Sequence, residues 1–582
     1  MAAAACYKLE PTAAGGGSGL NFKSNPCQPA DTVRLAVAQA GRIDCSNGGT
    51  TVTFAAAGAS YLVVPEFATD QAVFQYVPYA VDSGSLKAAV AASRMLAARV
   101  RRGALAAVEA LPAVQLGAAQ RRADELVRAR GRRLAPLVRA SRALLAPAAR
   151  TLVRSAPPAQ GSIRSFQVLS NLFGTTDTWA TVNASLQYVG SNILLYVDTL
   201  APAGGFTPTQ LQTFGQYFDQ TLFPIDTTAF GSPTDIDGNG HVIVLMSSAV
   251  NASTPTATCT SAGYVAGFFN QEDFIPTTSD PNSNQGEIFY TIVPDPNGQV
   301  SCVHTVADME SVVPPTFLHE LQHLINFSQH VVVDGGAPGA SWLDEGMSIS
   351  AEELGSLYYE QKCPAPACRT NPSQLFPDSA QPFVQGFLYD SYEYALLPDT
   401  ASILLENDGD PGASWRGGAW LLVRWLADRK GAGVYRQLEH GSSDGETAIA
   451  SVMGTPFTQL FADFGLSLYT DSLPGLPRAT APAADRFVTR NVSELWARLY
   501  TTNVAQNGGP TFDIPFPMPV QLFPISSDTT TYVLLPGTMT YFRLDTPTNA
   551  AAVSIQFAGP GGVAFPGGLV PQLAIFRLPP GQ

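Results

Sequence analysis

Charge is what this 582-residue sequence has least of: Asp, Glu, Lys and Arg together make up 14% of it, against 45% hydrophobic residues. Disordered chains show the opposite balance, so real cores are expected. No run of about 20 apolar residues occurs, which argues against a membrane-spanning helix. The seven cysteines, Cys6, Cys27, Cys45, Cys259, Cys302, Cys363 and Cys368, include no CxxC pair. A zinc ribbon or a thioredoxin-like redox site is therefore not expected. There is no GxSxG elbow, no Walker A loop and no GxGxxG after a strand, so the chemistries those motifs serve leave no trace. The net charge of -14 speaks against nucleic-acid binding by the chain as a whole.

A full signal peptide is also missing, because Met1 to Ala5 is too short for a charged region followed by an apolar one. Three alanines followed by Cys6 and a Gly/Ser-rich stretch nevertheless resemble the end of a lipoprotein signal, which makes Cys6 a candidate lipid anchor. The other cysteines fall into local pairs: Cys27 with Cys45, Cys259 with Cys302, and Cys363 with Cys368 across a Pro-Ala-Pro-Ala turn. Three disulfides imply an oxidising compartment, hence a secreted or cell-surface protein.

Composition changes along the chain mark its organisation. Residues 1-30 read as a flexible leader centred on Gly15-Gly16-Gly17-Ser18-Gly19. Residues 31-83 alternate β-branched and aromatic residues with turn signals, as in Val52/Phe54, Tyr61 to Val64 and Val73 to Tyr76, and read as a small β domain. Residues 84-160 differ: Gly84 to Ser165 holds 16 Lys+Arg against 3 Asp+Glu. Leu86, Val90, Leu96 and Val100 stand at helical spacing there, predicting two or three basic amphipathic helices. This segment reads as a solvated linker, a membrane-surface or nucleic-acid patch, or a pro-segment that acts as a removable cover docked on the acidic body. Residues 161-500 run strands first and helices later, an α+β order, with an apolar strand predicted at Val242 to Met246. Residues 501-582 turn β-rich again and read as a sandwich-like domain.

Chemistry concentrates in one block. Pro314, Pro315 and Thr316 read as a helix start, followed by Phe317-Leu318-His319-Glu320-Leu321-Gln322-His323-Leu324-Ile325. Residues i and i+4 share a helix face, so His319 and His323 point the same way and can hold one tetrahedral Zn²⁺. Glu320 then stands where it can work on water beside the metal. A third ligand is needed. The metzincin pattern is excluded, because Asn326 and Gln329 replace its Gly and His, with His330 one residue late. Glu345, in Trp342-Leu343-Asp344-Glu345-Gly346, lies 22 positions after His323 and would complete a His₂Glu site. Upstream, Asp235-Ile236-Asp237-Gly238-Asn239-Gly240 has oxygens at calcium-loop spacing but lacks the later bidentate Glu of an EF-hand. It reads first as an Asp/Asn-Gly turn into the next strand.

HELQH followed by WLDEG resembles the gluzincin clan of zinc peptidases, and the wider text resembles hyicolysin-type bacterial metallopeptidases. Similar stretches are Asp235 to Gly240, Gly263 to Gly267, Phe317 to Phe327, Trp342 to Ser348 and Gly417 to Leu421, within about Ser162 to Thr470. The resemblance implies a thermolysin-like α+β catalytic domain, flanked by the small all-β domains and the basic helical segment. It implies Zn²⁺ on His319, His323 and Glu345, with Glu320 as the catalytic base. The expected activity is hydrolysis of peptide bonds in protein or peptide substrates by a zinc-activated water. The chain lacks the GxMEN-type strand with which related aminopeptidases capture a free N-terminus, which favours an endopeptidase. Related enzymes often place an oxyanion-stabilising Tyr before a Gly-rich helix start. Here Trp415 stands at that point, leaving Tyr389, Tyr392, Tyr394 and Arg416 as candidate donors. The competing reading is a non-catalytic surface binding module with a vestigial zinc site.

Overall fold

A computed structural model describes residues 18-19, 25-28, 30-46, 48-69, 77-82, 117-151, 157-363, 368-370, 375-404, 412-441, 443-471, 473-476, 486-507, 512, 514-523, 531-549 and 552-582. Cys6, the strand expected at Val73 to Tyr76 and the helical pattern of residues 86-100 lie outside them.

The middle of the chain builds a mixed sheet. Its strands, in spatial order, are Gly267–Phe269, Ile288–Thr291, Val242–Met246, Ile193–Asp198, Trp179–Val189 and Ile163–Leu169. Val242–Met246 runs parallel to both neighbours and is buried along its whole length, as its unbroken apolar text requires. Trp179–Val189 instead alternates, burying Val182, Ala184, Leu186 and Tyr188 on one face. Among the described residues Gly267–Phe269 pairs on one side only, with Ile288–Thr291, and so leaves a strand edge open.

Helices pack against this sheet. The one carrying HELQH spans Val306–Phe327, so it begins eight residues before the expected Pro314. Thr305 and Asp308 form a capping box that sets the true start, and both prolines lie inside the helix. An interior Pro costs about 3 kcal/mol or more, because it loses a hydrogen bond and crowds the preceding turn. Burial of Val313, Pro314, Pro315, Phe317 and Leu318 opposes that cost. The Ser341–Lys362 helix packs against it, and Gly346 brings that helix close to the Ala413–Lys430 helix. A Cβ on Gly346 would stand 2.7 Å from the carbonyl oxygen of Ala419, which accounts for the glycine in WLDEG.

The two terminal β segments are not separate domains flanking the catalytic one. They interleave in two six-stranded sheets. Val553–Ala558 lies between Thr50–Phe54 and Val77–Asp82, while Pro571–Arg577 lies between Ser60–Phe67 and Ala40–Asp44. The shared core holds Val52, Phe54 and Val63 from one end with Ile555, Phe557 and Ile575 from the other. A lone β segment of this size would leave an apolar face bare, and joining the two ends covers it.

The described part of the basic segment is one 34-residue helix, Ala118–Thr151. Ala123, Val127, Ala135 and Val138 are buried in the main core, so this helix is docked rather than a solvated spacer.

The structure joins Cys27 to Cys45, Cys259 to Cys302 and Cys363 to Cys368, with Cα separations of 4.7, 5.9 and 6.1 Å. All three fall within the range that a disulfide spans. Mass mapping of protein made in an oxidising compartment should recover these three linked pairs. Six free thiols at those positions would defeat the disulfide assignment.

Candidate metal centre and active site

His319 and His323 sit one turn apart on the Val306–Phe327 helix, and Glu345 sits near the start of the Ser341–Lys362 helix. All three are buried, and one ligand atom from each lies within 4.8 Å of the others. The two Nε2 atoms are 3.1 Å apart. Glu345 Oε1 stands 3.3 Å from His323 Nε2, and Oε2 stands 3.8 Å from His319 Nε2. Ligands about 2.0–2.2 Å from a tetrahedral ion stand roughly 3.3–3.6 Å from each other; the observed separations bracket that range, and two imidazoles with a carboxylate are a donor set suited to Zn²⁺.

Both rings are aimed from behind. His319 Nδ1 is 2.8 Å from Glu352 Oε1, and His323 Nδ1 is 2.8 Å from Asp344 Oδ2. A carboxylate on Nδ1 fixes the tautomer that leaves Nε2 free for metal. Burial, and next the neighbouring His323, hold the His319 pKa well below its usual value, so the ring is neutral and its lone pair is available. Neither Glu352 nor Asp344 was a sequence candidate. Their signals were weak: Asp344 adjoins Glu345, and Glu352 follows it by two helical turns.

Glu320 lies beside His319 on the wall of a cavity of about 710 Å³, together with Glu352, Tyr389, Asp390 and Arg416. Its Oε2 accepts a hydrogen bond from the backbone N–H of Phe269 at 3.1 Å. Burial, then the charge of Asp124, raises its pKa well above the usual carboxylate range. The base candidate thus bridges the metal helix and the free-edged strand.

The oxyanion candidates separate. Tyr392 is buried with its hydroxyl donating to the Ile514 carbonyl, and Tyr394 is fully buried; neither lines the cavity. Tyr389 and Arg416 do line it. Arg416 Nη2 stands 2.8 Å from Glu345 Oε2. Trp415 is packed into the main core. His330, the other conceivable ligand, is buried beyond the helix end and is not part of the cluster.

The Ala118–Thr151 helix lies across this centre. Gln120, Arg121 and Asp124 line the cavity. Gln120 takes up the free strand edge, accepting from Ala266 N at 2.7 Å and donating to Gly267 O at 2.9 Å. Asp124 pairs with Arg416 at 3.0 Å, and Arg130 with Glu272 at 2.7 Å. Arg128 forms a buried ion pair with Glu345, the carboxylate that would hold the metal.

No family model matches the chain. Over 194 residues it is 26% identical to the neutral metalloprotease ShpI of Staphylococcus hyicus, an alignment that covers 33% of this chain and 40% of ShpI. The match therefore spans less than half the length of that relative.

Proposed function

We propose that the chain is a zinc-dependent peptidase, an endopeptidase of protein or peptide substrates, kept latent by its own Ala118–Thr151 helix. One observation carries the peptidase reading. The Nε2 atoms of His319 and His323 and the Glu345 carboxylate lie within 4.8 Å of one another, and His319 and the adjacent Glu320 line a cavity. Bound there, Zn²⁺ supplies a Lewis acid that polarises a scissile carbonyl and acidifies water. Glu320 accepts the proton of the attacking water and delivers it to the leaving amine. The free edge at Ala266 and Gly267 offers the backbone donor and acceptor that an extended peptide needs to add as a strand. Arg416 and Tyr389 are the donors for the developing oxyanion. The likeness to a neutral metalloprotease supports the same reading.

Trp415, at the point where related enzymes carry a Tyr, is packed in the core and does not line the cavity, while His319 and His323 each keep a carboxylate behind the ring, which favours the peptidase over a vestigial site. The disulfides favour a secreted or cell-surface location. No described helix is long and apolar enough to cross a membrane.

Glu345→Ala tests the metal assignment. A site with two ligands is weak, so zinc content and peptidase activity should fall together. Full zinc occupancy in that variant, by elemental analysis, would move the third ligand elsewhere.

A further inference from the structure

The Asp235 to Gly240 turn has an acidic partner from a distant point in the chain. Asp235, Asp237 and Glu287 each place a carboxylate oxygen within 4.8 Å of the other two. Glu287 immediately precedes the Ile288–Thr291 strand, which pairs with the strand that follows the turn. We propose that these three carboxylates form a calcium site, separate from the zinc centre, in which Glu287 supplies the acidic ligand that the local sequence lacks.

The loop has the required shape. Asp235, Asp237, Asn239 and the backbone at His241 occupy the first, third, fifth and seventh positions of a calcium loop, and Gly240 occupies the sixth. Gly240 N–H donates to Asp235 Oδ1 at 2.9 Å, closing the loop on its first ligand. Asn239 N–H donates to Asp237 Oδ1 at 3.1 Å. Gly238 and Gly240 have φ of 71° and 73°, the left-handed conformation that lets the chain curl this tightly.

Glu287 is the independent observation. It is only 1% exposed. Its Oε1 accepts from Thr234 Oγ1 at 2.8 Å and from Ile236 N at 3.0 Å, so the carboxyl is clamped against the loop on both sides of Asp235. Its Oε2 is buried with no hydrogen-bond partner among the described residues. A buried carboxylate oxygen without a partner is costly. Among the described residues, no Lys, Arg or His forms an ion pair with any of the three acids; Arg164, near enough to act on Asp237, donates instead to the Asn284 carbonyl. Burial, with Asp237 and Asp235 adding repulsion, pushes Glu287 up to about 8. A divalent cation would remove that repulsion and satisfy Oε2. An all-oxygen donor set suits Ca²⁺, whereas Zn²⁺ prefers the imidazoles of the other centre.

The test is calorimetric titration of CaCl₂ into the zinc-loaded full-length protein, first freed of calcium with EGTA. Saturable one-to-one binding is expected, with calcium also raising the melting temperature. Glu287→Gln and Asp237→Asn should each weaken binding at least tenfold. Asp237 is only partly buried, so its variant keeps the question open to measurement if Glu287→Gln fails to fold. No saturable heat up to about 10 mM Ca²⁺, beyond the range of weak extracellular calcium modules, would overturn the proposal. Binding unchanged in Asp237→Asn would overturn it as well.

Discussion

Glu320→Gln should keep the fold and the zinc but lose peptide hydrolysis by at least about 10²–10⁴-fold, the usual contribution of a general acid–base group. Gln has nearly the shape of Glu and retains a carbonyl oxygen, so it can still accept the 3.1 Å hydrogen bond from Phe269 N. It contacts neither His319 Nδ1 nor His323 Nδ1, which are held by Glu352 and Asp344. What it cannot do is accept a proton. The loss should therefore appear in kcat, with zinc content by elemental analysis and the circular dichroism spectrum unchanged. Measured beside wild type under conditions where wild type turns over, a variant within threefold in kcat would remove Glu320 from the mechanism.

Arg128→Ala should release the latent enzyme. The Arg128–Glu345 pair is buried, with side chains 9% and 0% exposed, and Arg128 takes up the carboxylate that would hold Zn²⁺ in the proposed site. Removing one partner of a buried pair costs about 3–5 kcal/mol, which corresponds to roughly 10²–10³-fold or more in the balance between covered and open states. Activity on a short peptide and the rate of zinc uptake should both rise. Salt acts differently. Screening weakens exposed charge pairs but reaches buried ones poorly. Raising salt from about 0.05 to about 0.5 M should thus open the cover much less than Arg128→Ala does. Arg122→Ala is the control, because Arg122 is 42% exposed and, among the described residues, its ion pair is along its own helix, with Glu125. It should leave latency unchanged. A synthetic peptide spanning residues 118-151, added to Arg128→Ala, should inhibit it again. Equal activity and equal zinc uptake in wild type and Arg128→Ala would make the helix a permanent wall of the domain rather than a cover.

The two assignments differ in how far they could be read from residues alone. His319, Glu320 and His323 share a helical stretch, and a relation between i and i+4 is written in the local text whatever the fold. The apolar run Val242 to Met246 and the short-range cysteine pairs are of the same kind, because neighbours in sequence constrain each other directly. Glu345 was legible only because a carboxylate had to exist and its WLDEG setting was distinctive. Local signals also misled. Pro314-Pro315 looked like a helix start, but the capping box at Thr305 and the buried apolar residues around the prolines outweighed the proline penalty.

What the sequence determined by itself was the chemistry available: two imidazoles on one helix face with a glutamate beside them, a carboxylate as candidate third ligand, cysteines in local pairs and a basic segment. Tertiary structure alone decided how those parts meet. It set Glu352 and Asp344 behind the imidazoles, brought Glu287 to a loop some fifty residues earlier, interleaved strands from both ends of the chain, and laid Arg128 on Glu345. Each of these contacts joins segments whose separation no periodicity records. They form because apolar faces must be covered and buried charges must find partners, and those demands are met by the folded chain as a whole.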